Sequence, residues 1–357
     1  MFSDENLRLA IVNAGKHKYK KNKRHEHLKF MRKRADEFIP TAKRWLKNYE
    51  PANHEPIEIN DGISAKKRMI IVPTVQEVVI HHAITNVLKE IVRPSMYEHS
   101  YASIPGKGIH QAMKTVKKWI YNDPKNTRYC LKLDIRKFFD SIDQEVLLNK
   151  LRKIIRDKQY FEYIEKVVRT VPRGIPLGFT TSQWFANFLL TELDHKIKEE
   201  MKVKHYIRFM DDMVLFGSNK RKLHKVKEQI EKYLNEELHL QLKGNWQVFP
   251  MDGIKKKSVK KGRFLDFLGF KFYRDHIGLR RKIALRIQRK AKRIFKKGKA
   301  NIRDARQMVV YAGFAKYANI RNWFKRHVLL YVSIKRLRKK ISNYDKQLKG
   351  GLLCGTT

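Results

Sequence analysis

The chain has 357 residues, with 80 lysines and arginines against 35 aspartates and glutamates, a formal net charge of +45 at pH 7. Hydrophobic residues make up 42% of it and aromatic residues 11%, enough for a large core, so a mainly disordered chain is excluded. A charge surplus of this size repels itself unless a polyanion neutralises it, and nucleic acid is the commonest extended polyanion in cells. The alternative is a surface that is only solubilising.

Cysteine content and hydropathy limit the class further. Cys130 and Cys354 lie far apart, and no Cys/His cluster has zinc-ligand spacing, so we expect neither a disulfide framework nor a zinc module. The apolar runs fall short of the ~20 residues that span a bilayer, and the first twenty residues lack a signal-peptide core. We therefore expect an intracellular protein with two domains or one multi-part fold.

The hydrophobic pattern predicts mixed helices and strands along the chain. Residues 1–60 are expected to form a basic accessory extension with a helix over 26–49. A strand follows at 69–72, a helix at 75–92, a strand at 129–135, a helix from about 180 to 199 and a strand–turn–strand over 205–217. Residues 280–299 hold eleven basic residues and no acid while keeping one apolar face, which predicts a basic amphipathic helix.

Three acids stand out in this acid-poor chain. Asp134 ends the apolar strand, and Asp211 and Asp212 lie at the turn between the two later strands. Buried carboxylates are costly unless tied to a cation or donor, and oxygen ligands suit Mg²⁺. Two ions about 4 Å apart would stabilise an attacking 3′ oxygen and a leaving pyrophosphate, so the pattern predicts nucleotidyl transfer. The alternatives are a capped turn for the pair and a salt-bridged core acid for Asp134.

The residues around these acids resemble the reverse transcriptases. Residues 209–212, Phe-Met-Asp-Asp, resemble the aromatic-x-Asp-Asp box of the palm, and residues 134–139 resemble the first catalytic motif. The resemblance extends from about residue 68 to about 323. It implies an α+β right-hand polymerase with fingers over 61–128, a palm with an antiparallel sheet over 129–275 (including a fingers insertion near 145–175), and a basic helical thumb and tail over 276–357.

Roles for individual residues follow from the same resemblance. Asp134 and Asp211 are expected to bridge two Mg²⁺ ions, or Mn²⁺ ions, with help from Asp212 and the Ile135 carbonyl. Phe139 falls at the position of the steric gate that rejects ribose, although plain core packing is the alternative.

Further boxes of the family follow in order. Arg68, helped by Lys67, resembles the fingers arginine that clamps the triphosphate of the incoming deoxynucleotide. Lys243 resembles the lysine proposed as general acid to pyrophosphate, with a solvated surface lysine as the alternative. The primer grip corresponds to Phe267, Leu268 and Gly269. Phosphates of the hybrid duplex would be tracked by the basic helix, through Arg280, Arg281, Arg286, Arg289, Lys290 and Arg293.

One motif departs from the common family pattern. Most members carry Gln-Gly-x-x-x-Ser-Pro in the second palm motif, whereas this chain has Leu177-Gly178 followed by Ser182-Gln183. These positions are expected to line the nucleotide site. The variant resembles the reverse transcriptases of diversity-generating retroelements, which are bacterial or phage-borne. It implies copying of a template-repeat RNA into cDNA with errors at adenines, for mutagenic retrohoming, beside a small accessory protein oligomer in the cytoplasm.

Other assignments share part of this reasoning. A group II intron-like, retron or abortive-infection reverse transcriptase would use the same chemistry. A non-catalytic RNA-binding protein would rely on the +45 charge alone, but it would have no need of acids at strand ends.

Overall fold

The structure is a computed structural model that describes residues 1–16, 22–60, 67–251, 254–256 and 259–350. The chain divides into two compact units. The first comprises Met1–Ala112 and Tyr129–Val248, and the second comprises Met113–Arg128 and Phe249–Thr357. Within the described residues, every helix is too short or too polar to cross a membrane. Cys130 is buried, and Cys354 lies outside the described residues.

The first unit combines helices with a four-stranded sheet. Its helices are α1 (Asp4–Ala14), α2 (Lys23–Lys33), α3 (Ile39–Lys47), α4 (Val75–Val92), α6 (Phe138–Ser141), α7 (Gln144–Ile154), α8 (Lys158–Val168), α9 (Thr180–Leu189), α10 (Thr191–Glu199) and α11 (Lys220–Glu237). Its strands are β1 (Ile57–Asn60), β2 (Lys67–Ile70), β3 (Tyr129–Asp134), β4 (His205–Phe209) and β5 (Asp212–Gly217). Helix α5 (Ile109–Asn122) and strand β6 (Gln247–Pro250) cross from one unit to the other.

The sheet has the order β4-β5-β3-β6, and β5 pairs antiparallel with both neighbours. Leu131 and Leu133 of β3 are fully buried, as the alternating pattern predicts. Helix α11 packs on β5 and β3 and buries Val226 and Ile230. This support fixes the end of the sheet at which Asp134 lies directly opposite Asp212.

The amino-terminal segment belongs to the core of this unit. Helix α1 packs along α4, with Leu7 and Ile11 buried between them. The Asn6 amide donates to the Ala83 carbonyl oxygen at 3.2 Å. The described part of the predicted accessory extension therefore contributes to the same compact unit as residues 67–112 of the predicted fingers and residues 129–248 of the predicted palm.

Helix breaks are the main local difference from the predicted elements. Helix α4 has the predicted bounds and begins with a capping box between Thr74 and Glu77. The predicted helix over 26–49 is instead two helices, because Pro40 lacks an N–H and is tolerated only in the first turn of α3. The predicted helix over 180–199 likewise divides at Leu190 into α9 and α10.

The second unit combines basic helices with short strands. Its helices are α12 (Arg281–Lys296), α13 (Ile302–Tyr317), α14 (Arg321–Phe324) and α15 (Ile334–Gly350), and its strands are β7 (Ile254–Lys256), β8 (Val259–Lys261), β9 (Leu265–Phe267), β10 (Phe270–Phe272) and β11 (Ile277–Leu279). Phe270 of β10 stacks on Phe314 of α13 with ring centroids 5.5 Å apart. Helix α12 is the predicted basic amphipathic helix, with Ile283, Ile287 and Ile294 buried.

Candidate active site

A tight turn between β4 and β5 brings the predicted catalytic acids to one end of the sheet. Phe209 pairs with Asp212, so the hairpin loop consists of Met210 and Asp211 alone. Met210 has φ +59°, the sign that a type II′ turn requires at its first loop position and that a side chain other than glycine adopts only with strain. The strained turn presents Asp211 beside Asp134 on β3.

Lys243 comes to the same point from the segment after α11. Its backbone N–H donates to the Asp134 carbonyl oxygen at 2.8 Å, and its ammonium Nζ donates to Asp134 Oδ1 at 2.6 Å. Both side chains are about one-third exposed. The lysine that was matched only loosely from the sequence is therefore in direct contact with the first predicted catalytic aspartate.

The electrostatic environment of Asp211 differs from that of a surface aspartate. Burial, the negative charge of Asp134 and a hydrogen bond between the two carboxyl groups together raise its pKa to about 6, and burial is the largest of these causes. The positive charge of Lys243 opposes the shift. Ionisation of Asp211 beside Asp134 is therefore disfavoured, and a cation bound between the two carboxylates would favour it.

The donor set fits Mg²⁺. Within the described part of the chain no group of three or more His, Cys, Asp or Glu side chains is arranged to hold a metal. Asp134 and Asp211 nevertheless provide two carboxylates, as many as Mg²⁺ often takes from protein when phosphate oxygens and water complete its shell. Asp212 Oδ2 lies 3.7 Å from the Lys132 ammonium instead. The Ile135 residue bridges to Leu242, and its role as a carbonyl ligand stays a prediction.

A buried ion pair supports the turn from below, and the sequence analysis missed it. Arg208 and Asp194 are almost fully buried, and Arg208 Nη2 donates to Asp194 Oδ2 at 2.6 Å. Arg208 Nη1 donates to the Met210 carbonyl oxygen at 3.2 Å and to Asn187 Oδ1 at 3.1 Å. The Tyr206 hydroxyl donates to Asp194 Oδ1 at 2.7 Å. The only signal in the sequence was an arginine inside an apolar strand. A buried charge without a partner is costly for a base as well as for an acid, so this arginine also predicts a buried partner.

The predicted nucleotide-binding motif is joined to strand β2 by its backbone. The Ile71 N–H donates to the Leu177 carbonyl oxygen at 2.8 Å. Gly178 has φ +121°, and a Cβ there would lie 2.2 Å from the Ile71 carbonyl oxygen, so this close approach requires glycine. Strand β2 carries Lys67 and Arg68, both exposed, and the Lys67 ammonium lies 3.0 Å from Glu58 Oε1.

The other predicted nucleotide-site residues differ in exposure. Phe139 is half-buried against Phe138, and its carbonyl oxygen accepts from the Ile175 N–H at 2.9 Å. Leu177 is half-buried and Gln183 is exposed, whereas Ser182 is fully buried. Contacts of these side chains with nucleotide stay predictions.

The predicted primer grip and basic helix both lie in the second unit. Phe267 is fully buried, and Leu268 and Gly269, both with positive φ, form the two-residue turn between β9 and β10. On the basic helix, Arg281, Arg289 and Arg293 are exposed and Arg286 is half-buried. Arg280 and Lys290 form ion pairs with Asp266 and Asp304, respectively.

These features define the class of protein. A sequence model of the family described as "Reverse transcriptase (RNA-dependent DNA polymerase)" matches residues 57–271, more than half of the chain, including every acid of the site. The chain belongs to the reverse transcriptase family. The α+β right-hand polymerase fold predicted from the sequence is the fold of this family and is confirmed. The predicted enzyme class, RNA-directed DNA polymerase, agrees with the description of the family.

Similar curated proteins come from several groups of this family. The chain is 28% identical over 151 residues to the group II intron-encoded protein LtrA of Lactococcus lactis subsp. cremoris, a match covering 40% of this chain and 24% of that protein. It is 27% identical over 133 residues to the retron Ec73 reverse transcriptase of Escherichia coli, covering 34% and 40%. Protein YkfC of Escherichia coli K12 is 22% identical over 163 residues, covering 43% and 42%. The chain thus spans less than half the length of these relatives.

Among solved structures, an apo telomerase from Candida tropicalis, truncated from its C-terminal domain, is similar with a TM-score of 0.49 and 14% identity, over 64% of this chain and 55% of that one.

Proposed function

We propose that this chain is an RNA-directed DNA polymerase that adds deoxynucleotides to a primer paired with an RNA template. The observation that carries the proposal is the meeting of Asp134, Asp211 and Lys243 at one strand end, within the segment that matches the family. Net charge supports the choice of partners, since +45 suits template RNA, cDNA or DNA primer and nucleotide triphosphates. A non-catalytic binder would gain nothing from two apposed carboxylates.

The chemistry balances as a phosphoryl transfer. The primer 3′ hydroxyl gives up its proton to solvent water, its oxygen forms a bond to the α-phosphorus, and the bond from that phosphorus to the oxygen bridging to the β-phosphate breaks. Pyrophosphate leaves with the electron pair of that bond. Reverse transcriptases generally use divalent metal ions, and bound Mg²⁺ would stabilise the charge on both reacting oxygens.

The residues of the chain supply the remaining functions. Asp134 and Asp211 would hold Mg²⁺, two ions in our proposal, and Mn²⁺ is an alternative ion. Lys243 carries an ammonium at the reacting centre and is the candidate proton donor to pyrophosphate. Arg68 would clamp the triphosphate, and Phe139 would reject the 2′ hydroxyl. Replacing Phe139 by Ala should then admit ribonucleotides, and undiminished rejection would contradict the gate.

Primer extension on an RNA template with Mg²⁺ tests the proposal. Wild type should extend the primer, and Asp211→Asn should abolish extension while leaving the fold intact by circular dichroism. Asp36→Asn provides the matched control, because Asp36 is an exposed partner of Arg8 on the surface. Extension by Asp211→Asn at the wild-type rate would exclude this site as the catalytic centre.

We further propose the diversity-generating retroelement type, in which the enzyme copies a template-repeat RNA with errors at adenines beside a small basic accessory protein oligomer. Leu177 and Gln183 support this subclass, since an aliphatic side chain cannot make the hydrogen bond of the usual glutamine amide. Losing one such bond, about 0.5–1.5 kcal/mol, corresponds to roughly two- to tenfold in discrimination. Because a retron protein and a group II intron-encoded protein are among the relatives, a reverse transcriptase of one of those types is the second candidate.

Sequencing of cDNA decides between these types. Leu177→Gln should lower misincorporation opposite adenine, and an unchanged error spectrum would remove Leu177 from the explanation. In the flanking DNA, a near-duplicate repeat pair differing mainly at adenines would identify the retroelement type.

A further inference from the structure

A second cluster of charge lies beside the catalytic acids in the first unit. A cavity of about 400 Å³, here called the cationic pocket, is lined by Arg136, Lys137, Asp140, Ser141, Arg173, His239 and Gln241. At about 30 Å³ per water molecule, this volume corresponds to roughly a dozen waters, far more than a single bound ion needs. It lies within the range of small-molecule sites.

The charges of the pocket favour an anion. Arg136, Lys137 and Arg173 are exposed, and in the described part of the chain no carboxylate lies within ion-pair distance of them. One acid, Asp140, lines the pocket. His239 is not counted among the cations of the pocket, because its Nδ1 lies 2.8 Å from Asp143 Oδ2. Two guanidinium groups supply forked donors that match phosphate oxygens.

The backbone connects the pocket to the reaction centre. The Arg136 N–H donates to the Gln241 carbonyl oxygen at 2.8 Å, and the Lys243 N–H donates to the Asp134 carbonyl oxygen at 2.8 Å. The bridge between Ile135 and Leu242 lies between these two bonds and is antiparallel. Side chains two residues apart on extended chain share a face and lie about 7 Å apart. Arg136 and Gln241 therefore lie on the face that carries Asp134 and the Lys243 ammonium.

We propose that the cationic pocket is a product site that binds the pyrophosphate released by nucleotide addition. The inference rests on the proposed polymerase function and deepens it, because it assigns a destination to the leaving group. A diphosphate carries several negative charges in a small volume, and the pocket offers three permanent cations together with the amide of Gln241. The same diphosphate chemistry occurs in the β- and γ-phosphates of an unreacted nucleotide, and kinetics separates the two sources.

Product inhibition is the first measurement. With primer, RNA template and Mg²⁺ in place, Arg136→Ala and Arg173→Ala should each raise the inhibition constant of added pyrophosphate about tenfold, one charge-assisted phosphate contact. The KM for deoxynucleotide should change less than twofold. Arg221→Ala is the matched control, since Arg221 is an exposed arginine on α11 outside the pocket. A KM that rises in parallel with the inhibition constant would overturn the proposal by placing the unreacted triphosphate in the pocket.

Direct binding is the second measurement and does not need polymerase activity. Calorimetric titration of the full chain with inorganic pyrophosphate should show binding that Arg136→Ala and Arg173→Ala weaken about tenfold and that Arg221→Ala leaves unchanged. Equal weakening by all three variants would refute the pocket in favour of non-specific attraction to the net charge. If the two pocket variants lost affinity for RNA but kept unchanged pyrophosphate binding, the product site would be refuted and the pocket would be a contact for the RNA backbone. Failure of primer extension with intact pyrophosphate titration would instead count against the polymerase proposal.

Discussion

The buried pair of Arg208 and Asp194 provides the sharpest prediction, because it joins the stability of the first unit to the position of Asp211. Replacing Asp194 by Asn keeps the shape of the side chain but leaves the guanidinium of Arg208 without a counter-charge at a site with 1% or less exposure. Three short contacts to a carboxylate, at 2.6, 2.8 and 3.1 Å, become contacts to a neutral amide.

The expected magnitude follows from that burial. Breaking a buried ion pair by removing one partner costs about 3–5 kcal/mol, because the remaining charge is neither solvated nor paired. For a unit of this size about 1 kcal/mol lowers the melting temperature by about 2–4 °C, so Asp194→Asn should lower it by about 6–20 °C. Glu145→Gln is the control, since it breaks an exposed pair with Arg169 and should cost at most about 1 kcal/mol.

A double replacement separates stability from positioning. Arg208→Met combined with Asp194→Leu removes both charges, which is often neutral or stabilising, less about 1–3 kcal/mol for the Tyr206 hydroxyl left without its acceptor. The double variant also lacks the donor to the Met210 carbonyl oxygen. Measured by urea unfolding, the double variant should therefore regain most of the stability that Asp194→Asn loses. Its primer extension should stay low, and kcat should change by a larger factor than the KM for nucleotide. The reasoning would be refuted if Asp194→Asn were no more destabilising than Glu145→Gln, or if the double variant extended the primer as the wild type does.

Three further predictions concern the catalytic centre. In metal-free protein the raised pKa of Asp211 contributes stability that is fully present below its ordinary pKa of 3.8 and is lost as pH rises through about 6. The urea midpoint of the wild type should therefore fall over that pH window, and Asp211→Asn should make the fall smaller. Lys243→Gln should strengthen nucleotide-free Mn²⁺ binding up to about tenfold, measured by electron paramagnetic resonance, because the ammonium no longer occupies Asp134; unchanged affinity would contradict this. Gly178→Ala should cost more than the about 1–3 kcal/mol of backbone strain, because the new Cβ meets a carbonyl oxygen 2.2 Å away, whereas Gly106→Ala, with open space and φ +77°, should cost the strain alone in thermal unfolding.

The sequence predicted the elements whose signals are local. The alternation around Leu131 and Leu133 predicted β3. The acids at the 211–212 turn predicted the hairpin, because a two-residue loop between apolar strands is compatible with few other structures. Helix α4 was predicted to the residue because its cap and its periodicity agree. The family match over 57–271 includes these same segments.

Long-range contacts were beyond prediction from a single sequence. Asp194 and Arg208 are separated by a helix end and a strand start, and nothing local indicates that they meet. The position of Lys243 on Asp134 likewise depends on how the segment after α11 returns to the sheet. The packing of α1 on α4 was missed because the basic residues that follow α1 in the sequence dominated the interpretation of residues 1–60, although α1 itself holds one basic residue, Arg8, among mainly apolar ones.

Lysines beside two of the three proposed catalytic acids explain how a chain of charge +45 keeps these carboxylates available. Lys243 contacts Asp134 and Lys132 lies near Asp212, so both acids are partly neutralised in the metal-free state. A free cation at Asp134 would have to displace the Lys243 ammonium and would then face that released positive charge, which opposes its binding. A complex of Mg²⁺ with a nucleoside triphosphate carries net negative charge and meets the lysine favourably, since the released ammonium gains a phosphate oxygen. The same geometry therefore favours entry of metal and nucleotide together over entry of the metal alone.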